Sequence, residues 1–154
     1  MTTPPVTLRP ITDTEYPSWR DRAAASFAAG IGPARGLTAD EALKLAHEET
    51  VKLLPDGPAT EHHLIWLAWA SDVPVGSLWI STQSRIPFIY GIEVDGDQRG
   101  KGYGRAIMIA GEEECRRLGH SRLDLNVFGD NSTAIGLYES LGYTVTSQQM
   151  RKEL

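Results

Sequence analysis

The stretch Ile86-Pro87-Phe88-Ile89-Tyr90-Gly91-Ile92-Glu93-Val94-Asp95-Gly96-Asp97-Gln98-Arg99-Gly100-Lys101-Gly102-Tyr103-Gly104-Arg105 decides the fold. Its first half alternates. Ile86, Phe88, Tyr90, Ile92 and Val94 occupy every second position, which predicts a strand over residues 86–95 with those side chains on one face. Residues 96–104 then form a glycine-rich loop. From Gly104 the period changes to that of a helix, with Gly104, Ile107, Met108, Gly111, Cys115 and Leu118 on one face and Gly119 at its end. The first amides of a helix have no partner within it and carry the positive end of its dipole. Glycines let an anion reach those amides without meeting a β-carbon. Arg99, Lys101 and Arg105 add charge there, so a pyrophosphate is the natural ligand.

Two common nucleotide loops do not fit. A Walker loop needs glycine where Asp95 stands, and serine or threonine where Gly102 stands. A dinucleotide fingerprint begun at Gly100 meets Arg105 where a small residue is required, and one begun at Gly102 meets Ile107. The loop alone is equally compatible with a strand–helix turn that merely uses glycine.

Outward from this stretch, residues 6–11 read as a strand and residues 12–29 as a helix capped by Thr12 or Asp13, with Pro17 in its first turn. Gly30, Gly32, Pro33 and Gly36 read as a loop. A second helix opens with a Thr38/Glu41 capping box and stops at Pro55, its apolar face carrying Leu43, His47, Val51 and Leu54. Residues 62–70 and 75–83 are strands joined by a tight turn. A strand over 122–128, a helix over 131–141 ended by Gly142 and a final strand over 143–151 complete the chain. Hairpins in the middle and helical crossovers later predict an α/β fold: one domain over residues 1–154, a mixed, twisted sheet of six to seven strands, and two helices on each face.

Composition bounds the function. The 154 residues suit one domain with a full core, and 41% hydrophobic against 23% charged residues is globular rather than disordered. Twenty acidic residues against 15 basic ones give a net charge of -5, which argues against general binding to nucleic acid or anionic membranes. Cys115 is the sole cysteine, so no internal disulfide and no cysteine zinc cluster can form. The apolar run over residues 64–70 is far below the roughly 20 residues of a membrane helix. No basic segment followed by an apolar run opens the chain, so a cytoplasmic protein is expected.

A second constellation lies downstream: Asn131, Ala134, Leu137 and Tyr138, followed by Leu141, Gly142 and Tyr143. Together with the loop it resembles the GNAT superfamily of acetyl-CoA-dependent N-acetyltransferases. Residues 99–104 look like the family's Arg/Gln-x-x-Gly-x-Gly/Ala pyrophosphate loop, and residues 131–143 look like its Asn-x-x-Ala-x-x-Leu-Tyr segment with the following glycine and aromatic. The order, spacing and placement of the two motifs carry the resemblance, which spans residues 75–145.

The resemblance implies a cofactor pose. The strand at 86–95 should splay from the next one. The pantetheine arm of acetyl-CoA would dock on backbone groups of Ile92, Glu93 and Val94, and its pyrophosphate on the loop at Arg99, Gly100, Lys101, Gly102, Tyr103, Gly104 and Arg105. Asn131 would contact the arm, and Tyr138 would give a proton to the leaving sulfur. Tyr138 is otherwise a half-buried core aromatic. Glu93 is the candidate base for the attacking amine, or else a surface charge or a partner for an arginine. The acceptor is a small-molecule amine or an amine on a protein or peptide. A non-catalytic acyl-CoA sensor is the remaining alternative. No metal is expected: His62 and His63 begin a strand on opposite faces, outside any metal-binding pattern, and His47 reads as a core or rim residue. Cys115 reads as an inert small hydrophobe, and Trp66, Trp69 and Trp79 as core. The final strand, with Thr144 and Thr146, could join a neighbour's sheet to form a homodimer.

Overall fold

A computed structural model describes residues 2–154. In chain order it contains β1 (Thr7–Pro10), α1 (Tyr16–Arg35), α2 (Ala39–Leu53), β2 (His63–Ala70), β3 (Val73–Ser81), β4 (Phe88–Val94), α3 (Tyr103–Arg117), β5 (Asp124–Leu125) and α4 (Ser132–Ser140). The strands form one mixed sheet in the order β1-β2-β3-β4-β5, antiparallel throughout except for the parallel pair β4–β5. The α/β class and the mixed sheet are as expected. The sheet has five strands rather than six or seven.

The missing strand is residues 143–151, which run without ladder pairing. Val145 is 67% exposed and Met150 89%, so pairing this polar segment would bury little apolar surface. Its end is held by Arg151, whose guanidinium donates to the Ala34 carbonyl at 2.6 Å. The strand that was to pair with a second copy is therefore not formed. β5 is also shorter than expected, two residues in place of the stretch 122–128.

One face of the sheet presents Leu78, Ile80 and Ile89 to Ile107, Met108 and Cys115 of α3, with Leu137 and Leu141 of α4 packed beside them. The other face presents Ile65 and Trp79 to Tyr16 and Trp19 of α1 and to Leu54. The two helices over this second face meet through small residues, Ala24 and Ala28 against Ala42 and Ala46. This overturns the expected apolar face of α2: Leu43 and Val51 point to solvent, and Ala42, Ala46 and Thr50 are buried instead. Alanines let the backbones approach closely, and that contact sets the rotation of α2. Leu54 alone of the expected set is fully buried. On α3 the expected face holds, save that Leu118 lies past the helix end and is exposed.

Helix α1 continues through Gly30, Gly32 and Pro33 to Arg35, where a loop was expected. The glycines serve close contact, not a turn. A β-carbon on Gly30 would lie 2.4 Å from the Phe128 ring, and one on Gly32 would touch Ala42 at 3.5 Å. The helix ends at Gly36, in the left-handed region at φ 66. Ahead of it, Thr12 and Glu15 exchange bonds: Glu15 N–H donates to Thr12 Oγ1 at 3.3 Å and Thr12 N–H to Glu15 Oε1 at 3.0 Å. Thr38 and Glu41 form the expected capping box on α2 at 3.2 and 3.0 Å.

Strand β4 carries the largest departure from simple alternation. Trp79 pairs with Gly91 but Ile80 pairs with Ile89, so Tyr90 is an extra residue, a β-bulge. Ile89 therefore shares the α3 face with Ile92 and Val94, while Tyr90 moves to the face of Trp79. Beneath this region Gly76 has no room for a side chain. Its β-carbon would stand 2.1 Å from the Glu93 carbonyl oxygen and 2.9 Å from Ile107 Cδ1. Gly76→Ala is expected to cost about 1–3 kcal/mol through overpacking, read as a lower urea midpoint at unchanged slope.

Candidate functional site

The ladder between β4 and β5 has only two pairs, Phe88↔Asp124 and Ile89↔Leu125. Beyond them the chain bends at the Tyr90 bulge on one side. On the other, Phe128 crosses to pack on α1 and α2. The strands part, and residues 90–94 keep one edge of their backbone free of a neighbouring strand. A row of free N–H and C=O groups can dock a peptide-like arm. The parting opens a cleft of about 1130 Å³. Ile92 and Glu93 line it from β4, Asn126 from beyond β5, and Asn131 and Tyr138 from the start and interior of α4. Four residues singled out in the sequence, Ile92, Glu93, Asn131 and Tyr138, thus meet in one cavity. Glu93 pairs with Ser77 on the face that bears Trp79, opposite Ile92 and Val94.

The glycine loop follows where β4 ends. Arg99 Nε donates to the Val94 carbonyl at 3.3 Å, joining loop and strand. Gly100 and Gly102 both have left-handed backbones, φ 76 and 87, and Gly102 caps α3 without any side chain. Nothing stands within 4 Å of a β-carbon on Gly100, while one on Gly102 would meet the Pro4 ring at 3.1 Å. Gly104 lies against Leu137, at 3.4 Å for its β-carbon, so α3 and α4 close together behind the loop. Bare backbone amides at a helix start, with Arg99 and Lys101 exposed beside them, fit a pyrophosphate. Lys101 donates to Gln98 Oε1 at 3.3 Å. Arg105 reaches Ser140 Oγ, tying the first turn of α3 to the end of α4, and Tyr103 packs against the core.

Tyr138 is half-buried in the cleft wall, and burial raises its phenol above the usual value. Its ring meets Tyr143 edge-on at 6.0 Å. Tyr143 is itself fixed, its hydroxyl donating to Glu112 Oε2 at 2.8 Å. Burial first and this bond second push the Tyr143 phenol far up. The Glu112–Tyr143 bond holds the ring that backs Tyr138, and nothing in local spacing announced it. Asn131 Oδ1 accepts from Ala134 N–H at 3.2 Å, so this residue caps α4 as well as facing the cleft. Glu49 of α2 and Phe27 of α1 also line the cavity. Local patterning missed Glu49, which sits on a helix flank that reads as solvent-facing. Spacing instead puts Phe27 on the apolar face of α1 with Tyr16, Trp19 and Ala23, and the structure opens it to the cleft.

The remaining candidates fall elsewhere. Cys115 is buried on the α3 side, where burial pushes its thiol up. His62 is exposed and His63 buried. Trp66 and Trp79 are core residues, and Trp79 also reaches the cleft; Trp69 is half-exposed under Arg9 at 4.6 Å. His47 is half-buried on α2. Among the described residues no cluster of His, Cys, Asp or Glu is placed to hold a metal, and no helix is long and apolar enough to cross a membrane.

The acetyltransferase (GNAT) family model matches residues 35–143. The chain belongs to the GNAT family. It is 30% identical over 153 residues to the uncharacterised N-acetyltransferase YdgE of Bacillus subtilis, covering 96% of this chain and 98% of that one. The crystal structure of YycN from the same organism superposes with a TM-score of 0.92 at 30% identity, covering 97% and 98% of the two chains. An aminoglycoside-type structure, AAC(6')-Iy in complex with the bisubstrate analogue CoA-S-monomethyl-acetylneamine, shares the fold at TM-score 0.60 and 18% identity, over 97% of each chain. This GNAT protein is an N-acetyltransferase-type enzyme, and its fold implies acetyl-CoA as the acetyl donor.

One buried pair beneath the cleft gives a pH signature. Trp79 Nε1–H donates to His63 Nδ1 at 2.9 Å. Burial, and secondarily the charge of His62, hold His63 below its ordinary value. The unfolded chain therefore binds this proton more readily, so the contribution is intact above about pH 6.5 and is lost as pH falls through the folded value. His63→Gln keeps an acceptor for the indole and cannot titrate. Melting temperatures from pH 7.5 to 5 should fall less steeply in His63→Gln than in the wild type. His63→Ala strands a buried N–H and should lose about 1–3 kcal/mol at pH 7.5.

Proposed function

We propose that this acetyltransferase moves an acetyl group from acetyl-CoA to a primary amine by direct attack, with Glu93 receiving the amine's proton and Tyr138 supplying one to the departing sulfur. The observation that carries this is the presence of both residues on one cleft, along the free edge of β4. When bound, acetyl-CoA supplies an acyl group already activated as a thioester. Backbone groups of Ile92, Glu93 and Val94 would hold its arm, and residues 99–105 with the start of α3 its pyrophosphate. Asn131 faces the same space with its amide nitrogen, since its oxygen is committed to the helix cap.

An alkylamine has a pKa of about 10.4, so most of it is charged at neutral pH and must lose a proton before attack. Glu93 stands on the α1 side of β4 and can take that proton directly or through a water. Tyr138 keeps its proton through neutral pH because burial raises its pKa, and a group that stays protonated can give to a developing thiolate. Cys115 does not line the cleft and is buried on α3 against the core, which supports transfer without an acyl-enzyme.

The acceptor side favours a small amine over a protein chain. Phe128 bridges from the segment before α4 to Gly30 of α1. Thr144 and Thr146 line the cleft, and their segment leads on to the Arg151–Ala34 bond. These contacts bound one side of the cleft, which supports a small acceptor.

Two substitutions separate binding from chemistry, read as thiol release and as acetyl-CoA affinity by calorimetry. Gly102→Glu puts a β-carbon in a left-handed backbone against the Pro4 ring and a carboxylate beside the loop's amides, and should abolish acetyl-CoA binding. Tyr138→Phe should leave that affinity within a few-fold and lower kcat and kcat/KM together by roughly 10²–10⁴. A raised KM for acetyl-CoA at unchanged kcat would instead make the hydroxyl a binding group. Tight acetyl-CoA binding with no thiol release across a broad amine panel would leave only an acyl-CoA sensor.

A further inference from the structure

We infer that the acceptor is a lipophilic amine, an ammonium carried on an aromatic body; this rests on the proposed transfer to a primary amine in the same cleft. Charge is the first observation. Glu49, Glu93, Asp124 and Asp130 line the cavity, and among the described residues no lysine, arginine or histidine does. Carboxylates facing a partly dry cleft favour a cation and disfavour an anionic or zwitterionic acceptor. Glu49 faces Lys52 at 4.0 Å, while Glu93 and Asp124 stand on the sheet itself, paired with Ser77 and Phe88.

The floor supplies the second observation. Trp79 stacks on Tyr90 with ring centres 4.9 Å apart, Phe88 meets Tyr90 edge-on at 5.1 Å, and Trp19 meets Trp79 edge-on at 5.5 Å. The bulge creates this row, since Tyr90 would otherwise point toward α3. Tyr90 is 42% exposed and Phe27, on the α1 wall, 39%. Large aromatics left open inside a cleft gain when a flat apolar group covers them. A cation held over such faces gains further.

Two of the polar groups beside the rings are already committed. The Trp79 N–H is committed to His63, and the Thr50 hydroxyl donates to the Ala46 carbonyl at 2.8 Å. Laid on the Tyr90 and Phe27 rings, a sugar-like amine would leave hydroxyls unpaired, at a desolvation cost. A polyamine could pair with several of these carboxylates but would leave the Tyr90 and Phe27 rings without a flat apolar cover. A single ammonium at Glu93 with a ring on Tyr90 and Phe27 satisfies both the charge and the surface.

The test uses the full chain with coenzyme A present and follows intrinsic fluorescence, because Trp19 and Trp79 form part of the floor. The probes are phenethylamine, phenethyl alcohol, ethanolamine and spermidine. Phenethylamine should bind at least about tenfold tighter than ethanolamine, from burial of its ring, and about tenfold tighter than phenethyl alcohol, from its charge. Phe27→Ala changes an exposed helix residue and should shrink the phenethylamine-over-ethanolamine preference by about three- to tenfold. Glu93→Gln should shrink the preference over phenethyl alcohol. Ethanolamine or spermidine binding as tightly as phenethylamine would overturn the inference, as would a preference that survives both substitutions. Thiol release separates this from the underlying activity. Phenethylamine binding without turnover of any amine overturns acetyl transfer and leaves the ligand class standing. Turnover of spermidine or ethanolamine with the higher kcat/KM overturns the ligand class and leaves acetyl transfer standing.

Discussion

Tyr90 has no partner of its own on β3, and the working half of the molecule is arranged around that surplus residue. A strand with strict alternation would send Tyr90 into the α3 core together with Ile92 and Val94. The bulge lets Ile89 take that place, so the core against Ile107 and Met108 stays apolar. It also delivers an aromatic ring to the opposite face, beside Trp79 and on the same side as Glu93. Bulged strands bend and twist more strongly than regular ones. Here the bend comes one residue after the last pair with β5, and it is what gives residues 90–94 a free edge. Core packing, acceptor floor and docking edge thus share a single cause.

The two sides of the sheet divide the labour. On the α3 side, large aliphatic residues and close-packed glycines make a dense body, with Gly111 near Leu78 and Gly76 near Ile107. On the α1 side, aromatics and short polar residues leave space. The hydrogen bond from Trp79 to His63 anchors that side, because it orients an indole that would otherwise carry an unpaired donor in a buried place. The glycine loop lies at the junction of the two sides, where β4 ends and α3 begins, so a long ligand can have its phosphates at one end and its reactive group at the other.

What could be read in the sequence was local. The glycine loop, the Thr38/Glu41 box and the β2–β3 hairpin each depend on residues a few positions apart, and each is present. Asn131 and Tyr138 came from the downstream motif and Ile92 and Glu93 from the strand ahead of the glycine loop, and the cleft brings these four together. What escaped depended on distant partners. The bulge follows from the register of β3 against β4, which no window on β4 contains. Gly30 and Gly32 look like a turn until Phe128 and Ala42 are seen beside them. The face of α2 follows from alanines on α1, not from its own leucine and valine. The final strand failed for the opposite reason: its threonines and valine have the right propensity, but no apolar surface waits to receive them.

The contact between Gly30 and Phe128 has a meaning for how such a protein can change over time. A β-carbon at position 30 cannot coexist with a phenyl ring at position 128 in this arrangement. The two positions are far apart in the chain, yet they form one choice made in two places. A homologue that gains a side chain on the helix must surrender bulk on the loop, and a cleft wall of different shape results. Paired exchange at these two sites is therefore a route by which descendants of one ancestor could come to accept differently shaped molecules while the docking edge and the glycine loop stay untouched.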